Sequence, residues 1–141
     1  MEQKFIFLDH TADAKFQAFG RTLEEAFANA ALATASLMWD VSSISQRVRY
    51  PLGVRGKDLE QLLVQFLQEI VYLFDTKMFL LSSTEELRIK ESDHGYSLEA
   101  VFSGDDRPGE YNIFGEVKAI TYNEIKIEHN DHVTLQVVVD I

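Results

Sequence analysis

Two acidic side chains far apart in this 141-residue chain are placed where they could act together. Asp13 closes the polar run Asp9-His10-Thr11-Ala12-Asp13, and Asp140 stands before Ile141, after the apolar run Val137-Val138-Val139. Each has an ordinary reading: Asp13 forms a turn, and Asp140 keeps the last strand's end in water. A sharper one follows if the last strand lies beside the first, for then Asp13, Asp140 and the α-carboxylate of Ile141 converge. Like charges ~4 Å apart repel by roughly 4 kcal/mol at an effective dielectric of about 20, so such a trio requires a cation or a lysine. A donor set made only of oxygen suits Ca2+ or Mg2+, with Mn2+ a further candidate, rather than zinc.

Lys118 belongs to the stretch VKAITY, where alternation puts it on the face of Ile120 and Tyr122, opposite Val117, Ala119 and Thr121. Its ordinary reading is a solvated edge charge. His10 is either a ligand or, as a lone His near a strand end, a hydrogen-bonding fixture, and the second is the commoner case. His94, His129 and His132 lie in or beside turns without ligand spacing and read as surface residues.

Composition narrows the chemistry. The absence of cysteine excludes disulfides, thiolate metal sites and thiol catalysis. A net charge of −10 repels phosphate backbones and favours basic proteins or cations as partners, with no tight autonomous binding to nucleic acid. No apolar run approaches the ~18 residues of a membrane helix, and the N-terminus carries no secretory signal, so a cytoplasmic protein is expected. Arg47, Arg49, Arg55 and Lys57 concentrate positive charge, either as a docking patch for an acidic partner or as ordinary solvated charge. The chain has no phosphate-binding glycine loop, dinucleotide fingerprint, nucleophile elbow or zinc protease helix, and no nucleophile paired with a base.

The elements that must position these residues read as one domain spanning 1–141, without a repeat or a linker. KFIFL (4–8) and AKFQAF (14–19) alternate as short strands. TLEEAFANAALATASLMW (22–39) is an amphipathic helix opened by a Thr22/Glu25 capping box, and DLEQLLVQFLQEIVYLF (58–74) is a second, with Asp58 at its N-cap. Between them RVRYPLGV (47–54) is a strand that Pro51 confines to an edge or to the strand's end. Strands follow at 77–82, 86–92 and 96–102, the last two joined by a turn at Asp93-His94-Gly95; VKAITY, EIKIEH and HVTLQVVVD complete the chain. The pattern predicts an α+β two-layer sandwich, both helices on one face of a largely antiparallel sheet. The segment 103–116 is long for a connection, which predicts a functional loop, a lid or a mobile stretch.

Four stretches in this order, DHTAD at 9–13, GRTLEEAFANAA at 20–31, KAITY at 118–122 and the final VVVDI, resemble the archease family over nearly the whole chain. The resemblance implies a fold elaborated from a strand-helix-strand-strand module, and an accessory protein rather than an enzyme. Its partner would be an RtcB-type RNA ligase of tRNA splicing, which uses GTP and a divalent metal; the archease promotes guanylylation of the ligase and its multiple turnover. Carried over by motif, the metal ligands fall on Asp13, Asp140 and the Ile141 carboxylate, and the functional lysine, toward GTP phosphates, on Lys118. The alternatives are a chaperone-like modulator of an RNA-modifying enzyme such as a tRNA methyltransferase, and a small-molecule-binding module. Two positions depart from the family pattern: many members have Lys-His in the long loop, where this chain has GEYNI, and a His after the KAITY stretch, where Asn123 stands.

Overall fold

The computed structural model describes residues 3–10 and 12–141; Met1, Glu2 and Thr11 of the DHTAD run lie outside the described residues. The elements follow in the order β1 (Phe5–Leu8), β2 (Ala14–Gly20), α1 (Leu23–Ser36), β3 (Val48–Gly56), α2 (Leu59–Lys77), β4 (Leu80–Ser92), β5 (Gly95–Asp105), β6 (Ala119–His129) and β7 (Val133–Asp140), with single 3-10 turns at Val41–Ser43 and Pro108–Glu110.

Both helices begin by the same local chemistry. Thr22 Oγ1 accepts from the Glu25 amide at 3.1 Å and Asp58 Oδ1 from the Gln61 amide at 2.8 Å. In return Glu25 and Gln61 each accept from the amide just before the cap, Arg21 and Lys57, at 2.9 and 2.7 Å. Two of the donors orphaned at each start are thereby satisfied. α1 ends at Ser36, three residues before the predicted limit. Trp39 is drawn out of the helical path by docking its indole N–H on the Leu81 carbonyl at 2.9 Å and by a bridge to Ile113. α2 runs three residues past its predicted end and stops at Met78, in the left-handed region at φ 56°.

The antiparallel strands and the two amphipathic helices make the expected α+β arrangement, with the strands dividing into two sheets where the sequence suggests one. One sheet has the order β1-β2-β7-β6 and the other β3-β5-β4, every pairing antiparallel. α1 packs on β2 and β4, and α2 on β6 and β3, so each helix serves both sheets. That explains why α1 is buried almost all round: its small residues Ala26, Ala30, Ala31, Ala33 and Ala35 admit two close neighbours. One hydrophobic core joins them, with Phe16, Phe27, Phe66, Phe79 and Phe102 among its largest fully buried side chains. Pro51 lies on the edge strand β3, as a residue without an N–H must.

Three expectations change on contact with the structure. The predicted strands 77–82 and 86–92 are one strand, β4, interrupted by register shifts near Ser83 and between Glu85 and Arg88, and VKAITY and EIKIEH are likewise one strand, β6, with a large bulge. The 103–116 segment is no lid. Its first residues complete β5, the Phe114 amide donates to the Met38 carbonyl at 2.9 Å, and the buried Asp105 accepts from Tyr111 Oη at 2.6 Å and Arg47 at 2.9 Å. The basic cluster is partly spent internally, since Arg47 pairs with Asp105 and Glu110, and Arg49 with Glu85 and Glu86. Among the described residues no helix is long and apolar enough to cross a membrane.

Candidate functional site

The four-stranded sheet answers where the start and finish of the chain meet. β2 and β7 are neighbours, in a register that pairs Ala14 with Val139, Lys15 with Val138 and Phe16 with Val137. Asp13 and Asp140 are the residues next beyond the last pair of that ladder, Ala14 with Val139, so both lie at the same end of the sheet. On the other side of β7, Ala119 of β6 pairs with Asp140, and the Lys118 amide donates to the Asp140 carbonyl at 2.8 Å. A central strand flanked by the other two thus gathers Asp13, Lys118, Asp140 and Ile141 at one end of one sheet.

Side-chain direction follows from the alternation of the strands. Val133, Leu135, Val137 and Val139 face the helices with Phe16 and Ala18. Asp140 therefore shares the opposite face with Gln136 and Val138, and Asp13 shares it with Lys15 and Gln17. Asp13 is about a quarter exposed (26%), Asp140 is exposed, and Ile141 is 51% exposed, so the pair is open to solvent. Lys118 precedes β6 and is exposed while Ile120 is buried. The predicted alternation that paired those two residues therefore does not reach back to Lys118. The helix side is held from α2, where Gln68 Oε1 accepts from the Ile120 amide at 3.2 Å.

The residue that sequence reasoning missed is Glu124. Between the pairs Thr121↔Val138 and Lys126↔Gln136, β6 advances five residues while β7 advances two, which leaves three extra residues in a bulge. Glu124 sits in it at φ 54°, a left-handed conformation costing a residue other than glycine ~1 kcal/mol or more. Its main chain is anchored by the Gln136 side chain, which donates to the Glu124 carbonyl at 2.7 Å and accepts from Gln17 at 3.1 Å. Its carboxylate reaches across β7 to meet Lys15 Nζ at 3.0 Å and His10 Nε2 at 2.9 Å. Those two contacts, His10 first, hold the Glu124 carboxyl below the usual carboxylate range. His10 Nδ1 lies 3.8 Å from Asp13 Oδ2, so the His ring stands between two acids. The break in hydrophobic alternation at Tyr122-Asn123 was the available signal, and it marks a bulge where the sequence suggests the gap between two strands.

The other histidines are placed as expected: His94 and His129 are exposed, and His132 packs edge-on against Phe19.

Residues 5–141 match the Archease protein family (MTH1598/TM1083). The chain belongs to the archease family. It is similar to the protein archease of Methanosarcina acetivorans, 40% identical over 141 residues covering 99% of this chain and 97% of that one, and to the protein archease of Methanosarcina mazei, 41% identical over 143 residues with the same coverage. The Pyrococcus furiosus protein archease is 38% identical over 121 residues, 85% of this chain and 84% of that one. Among solved structures the fold is similar to the solution structure of Methanobacterium thermoautotrophicum protein 1598, with a TM-score of 0.82 and 30% identity over 98% of this chain and 99% of that one. Membership of the archease family supports an accessory role in RNA processing.

The donor set can be tested against the divalent cation that the family resemblance implies. Among the described residues no group of three or more His, Cys, Asp or Glu side chains is arranged to hold a metal ion. What the sheet end offers is two carboxylates on neighbouring strands, with main-chain oxygen beside them. That suits a hard cation that keeps several waters and shares phosphate oxygens, the manner in which Mg2+ is held by one or two carboxylates plus a substrate. It does not suit a closed structural site.

Proposed function

We propose that the chain activates an RtcB-type, GTP-dependent RNA ligase, acting on it through the sheet end that carries Asp13, Lys118, Asp140 and Ile141. The observation that supports this reading is the strand register, which draws the two family acids and the family lysine from three separate stretches of the chain to one exposed end of the sheet. A divalent cation, Ca2+, Mg2+ or Mn2+, would be held by the Asp13 and Asp140 carboxylates and a main-chain oxygen of Ile141, and would supply charge stabilisation to phosphate oxygens. Two carboxylates leave most of the coordination sphere open. An accessory protein gains by that incompleteness, because the site is finished only when a phosphate-bearing active site meets it.

Lys118 has the complementary part. An ammonium group at the same edge neutralises phosphate charge as a mobile point charge, without the fixed geometry that an arginine would impose. The excess of acids over bases, 23 to 13, suits a protein that touches a basic enzyme and leaves the RNA to it.

The test is ligase guanylylation and multiple-turnover ligation with Asp13→Ala, Asp140→Ala and Lys118→Ala. Each is expected to cut stimulation by on the order of 10- to 100-fold while the protein stays folded. Lys118→Ala should keep its cation response and lose stimulation all the same. Full stimulation by all three variants would remove the site and leave the chaperone-like role, in which no acid at this edge matters.

A further inference from the structure

The acid pair has two basic neighbours of its own. His10 lies three residues before Asp13 with its Nδ1 3.8 Å from the carboxylate, and Lys15 follows two residues later on the same face of β2. Left free, a lysine beside two carboxylates is an internal counter-ion and a competitor for any cation placed there. In this structure the one carboxylate of Glu124 engages Lys15 and makes the shorter of the two His10 contacts, 2.9 Å against 3.8 Å to Asp13.

We propose that Glu124 is a positioning residue for the acid pair, holding His10 and Lys15 so that Asp13 and Asp140 stay available to a cation. Three features of its placement support this. It does not belong to the ladder that forms the site, and reaches it only because a three-residue bulge carries it over β7. Its backbone takes up the left-handed φ of 54°, the kind of local strain found where side-chain aim matters more than backbone ease. Its two carboxylate oxygens divide the work, Oε1 to Lys15 at 3.0 Å and Oε2 to His10 at 2.9 Å, the latter a closer contact than the 3.8 Å from His10 Nδ1 to Asp13. Other charged groups on this outer face are Asp13 and Asp140 themselves and, further along β6, the exposed Lys126 and Glu128, which pair with Gln136 and Thr134; Gln17 and Gln136 between them are neutral.

This inference rests on the cation site proposed above, and the experiment separates the two. Mn2+ binding is titrated by electron paramagnetic resonance for the wild type, Glu124→Gln, Lys15→Met and the double variant. Glu124→Gln preserves volume and leaves untouched the Gln136 hydrogen bond, which is to the Glu124 main chain, so the bulge stays anchored. It is expected to weaken Mn2+ binding about tenfold or more, as loss of an outer-shell partner does. Lys15→Met added to it should restore affinity to within about threefold of wild type, because the released competitor is gone. Lys15→Met alone should bind no more weakly than wild type. If Glu124→Gln binds Mn2+ as wild type does, or if the double variant is as weak as Glu124→Gln, the inference is overturned while the site stands. If wild type binds no Mn2+, the cation site fails and this role fails with it.

Discussion

Replacing Asp140 by Asn separates repulsion from ligation at the sheet end. In the metal-free protein the β2–β7 ladder ends at Ala14 and Val139, which puts Asp13 and Asp140 side by side just beyond its last pair. Like charges directly opposite one another destabilise a sheet by about 0.2–1 kcal/mol. Asp140→Asn is nearly isosteric and keeps the Asp140 carbonyl that accepts from the Lys118 amide, so removing the charge should stabilise the metal-free fold by ~0.5 kcal/mol. At about 4 °C per kcal/mol for a chain of this size, the midpoint rises by roughly 2 °C. With Ca2+ the order reverses. At a hundred times its dissociation constant a cation adds about 2.7 kcal/mol, or ~10 °C, to wild type. A hundredfold loss of affinity in the variant leaves only ~0.4 kcal/mol at the same concentration. Thermal unfolding followed by circular dichroism, in chelator and in Ca2+, should therefore show two curves that exchange places: the variant melts higher without the ion and lower with it. A variant less stable than wild type in chelator, or one whose Ca2+ response is undiminished, refutes the convergence of these carboxylates.

Two further outcomes test the scaffold that presents them. Asp105 is buried and accepts from Tyr111 Oη, Arg47 and the Asp106 amide, so Asp105→Asn should cost about 2–3 kcal/mol in urea unfolding at neutral pH. Because Tyr111's hydrogen bond keeps the Asp105 carboxyl below its ordinary range, the stability it contributes is complete above the unfolded value near ~3.9 and is lost as pH falls below that, through the folded value; the gap between wild type and variant should narrow on acidification. Gly104→Ala should destabilise by ~3 kcal/mol or more, since the new methyl would stand 1.9 Å from the Leu80 carbonyl oxygen and the two paired strands must part to admit it.

The helices and the strands beside them were legible because their signals are local. Thr22 with Glu25 and Asp58 with Gln61 announce helix starts within four residues, and Gly95, at φ 129° with Gly56 packed where a Cβ would go, announces the β4–β5 turn. What escaped is whatever depends on a partner far along the chain. Ala-rich α1 reads the same whether one sheet or two lie against it; only Trp39 reaching Leu81, and α1 touching both β2 and β4, reveal the second. How the long connection after β5 is tied down was hidden for the same reason, because Asp105 finds Arg47 and Phe114 finds Met38 across more than fifty residues. Asp13 and Asp140 could be singled out because strand ends near the two ends of the chain are a plausible place to meet, but their pairing is a property of register, which no local pattern contains.

Glu124 shows the limit most clearly. A strand that kept strict alternation from Lys118 to His129 would turn the residue at 124 by parity alone, without carrying it across β7. The cost of the left-handed residue is met by the contacts it makes possible: a carbonyl seated on Gln136, and one carboxylate shared by Lys15 of β2 and His10 of the loop before it. Removing the three extra residues would give β6 a more regular ladder and a less strained backbone. On the role proposed for Glu124 it would also release Lys15 toward Asp13 and Asp140, which would account for an irregularity that sheet stability alone does not.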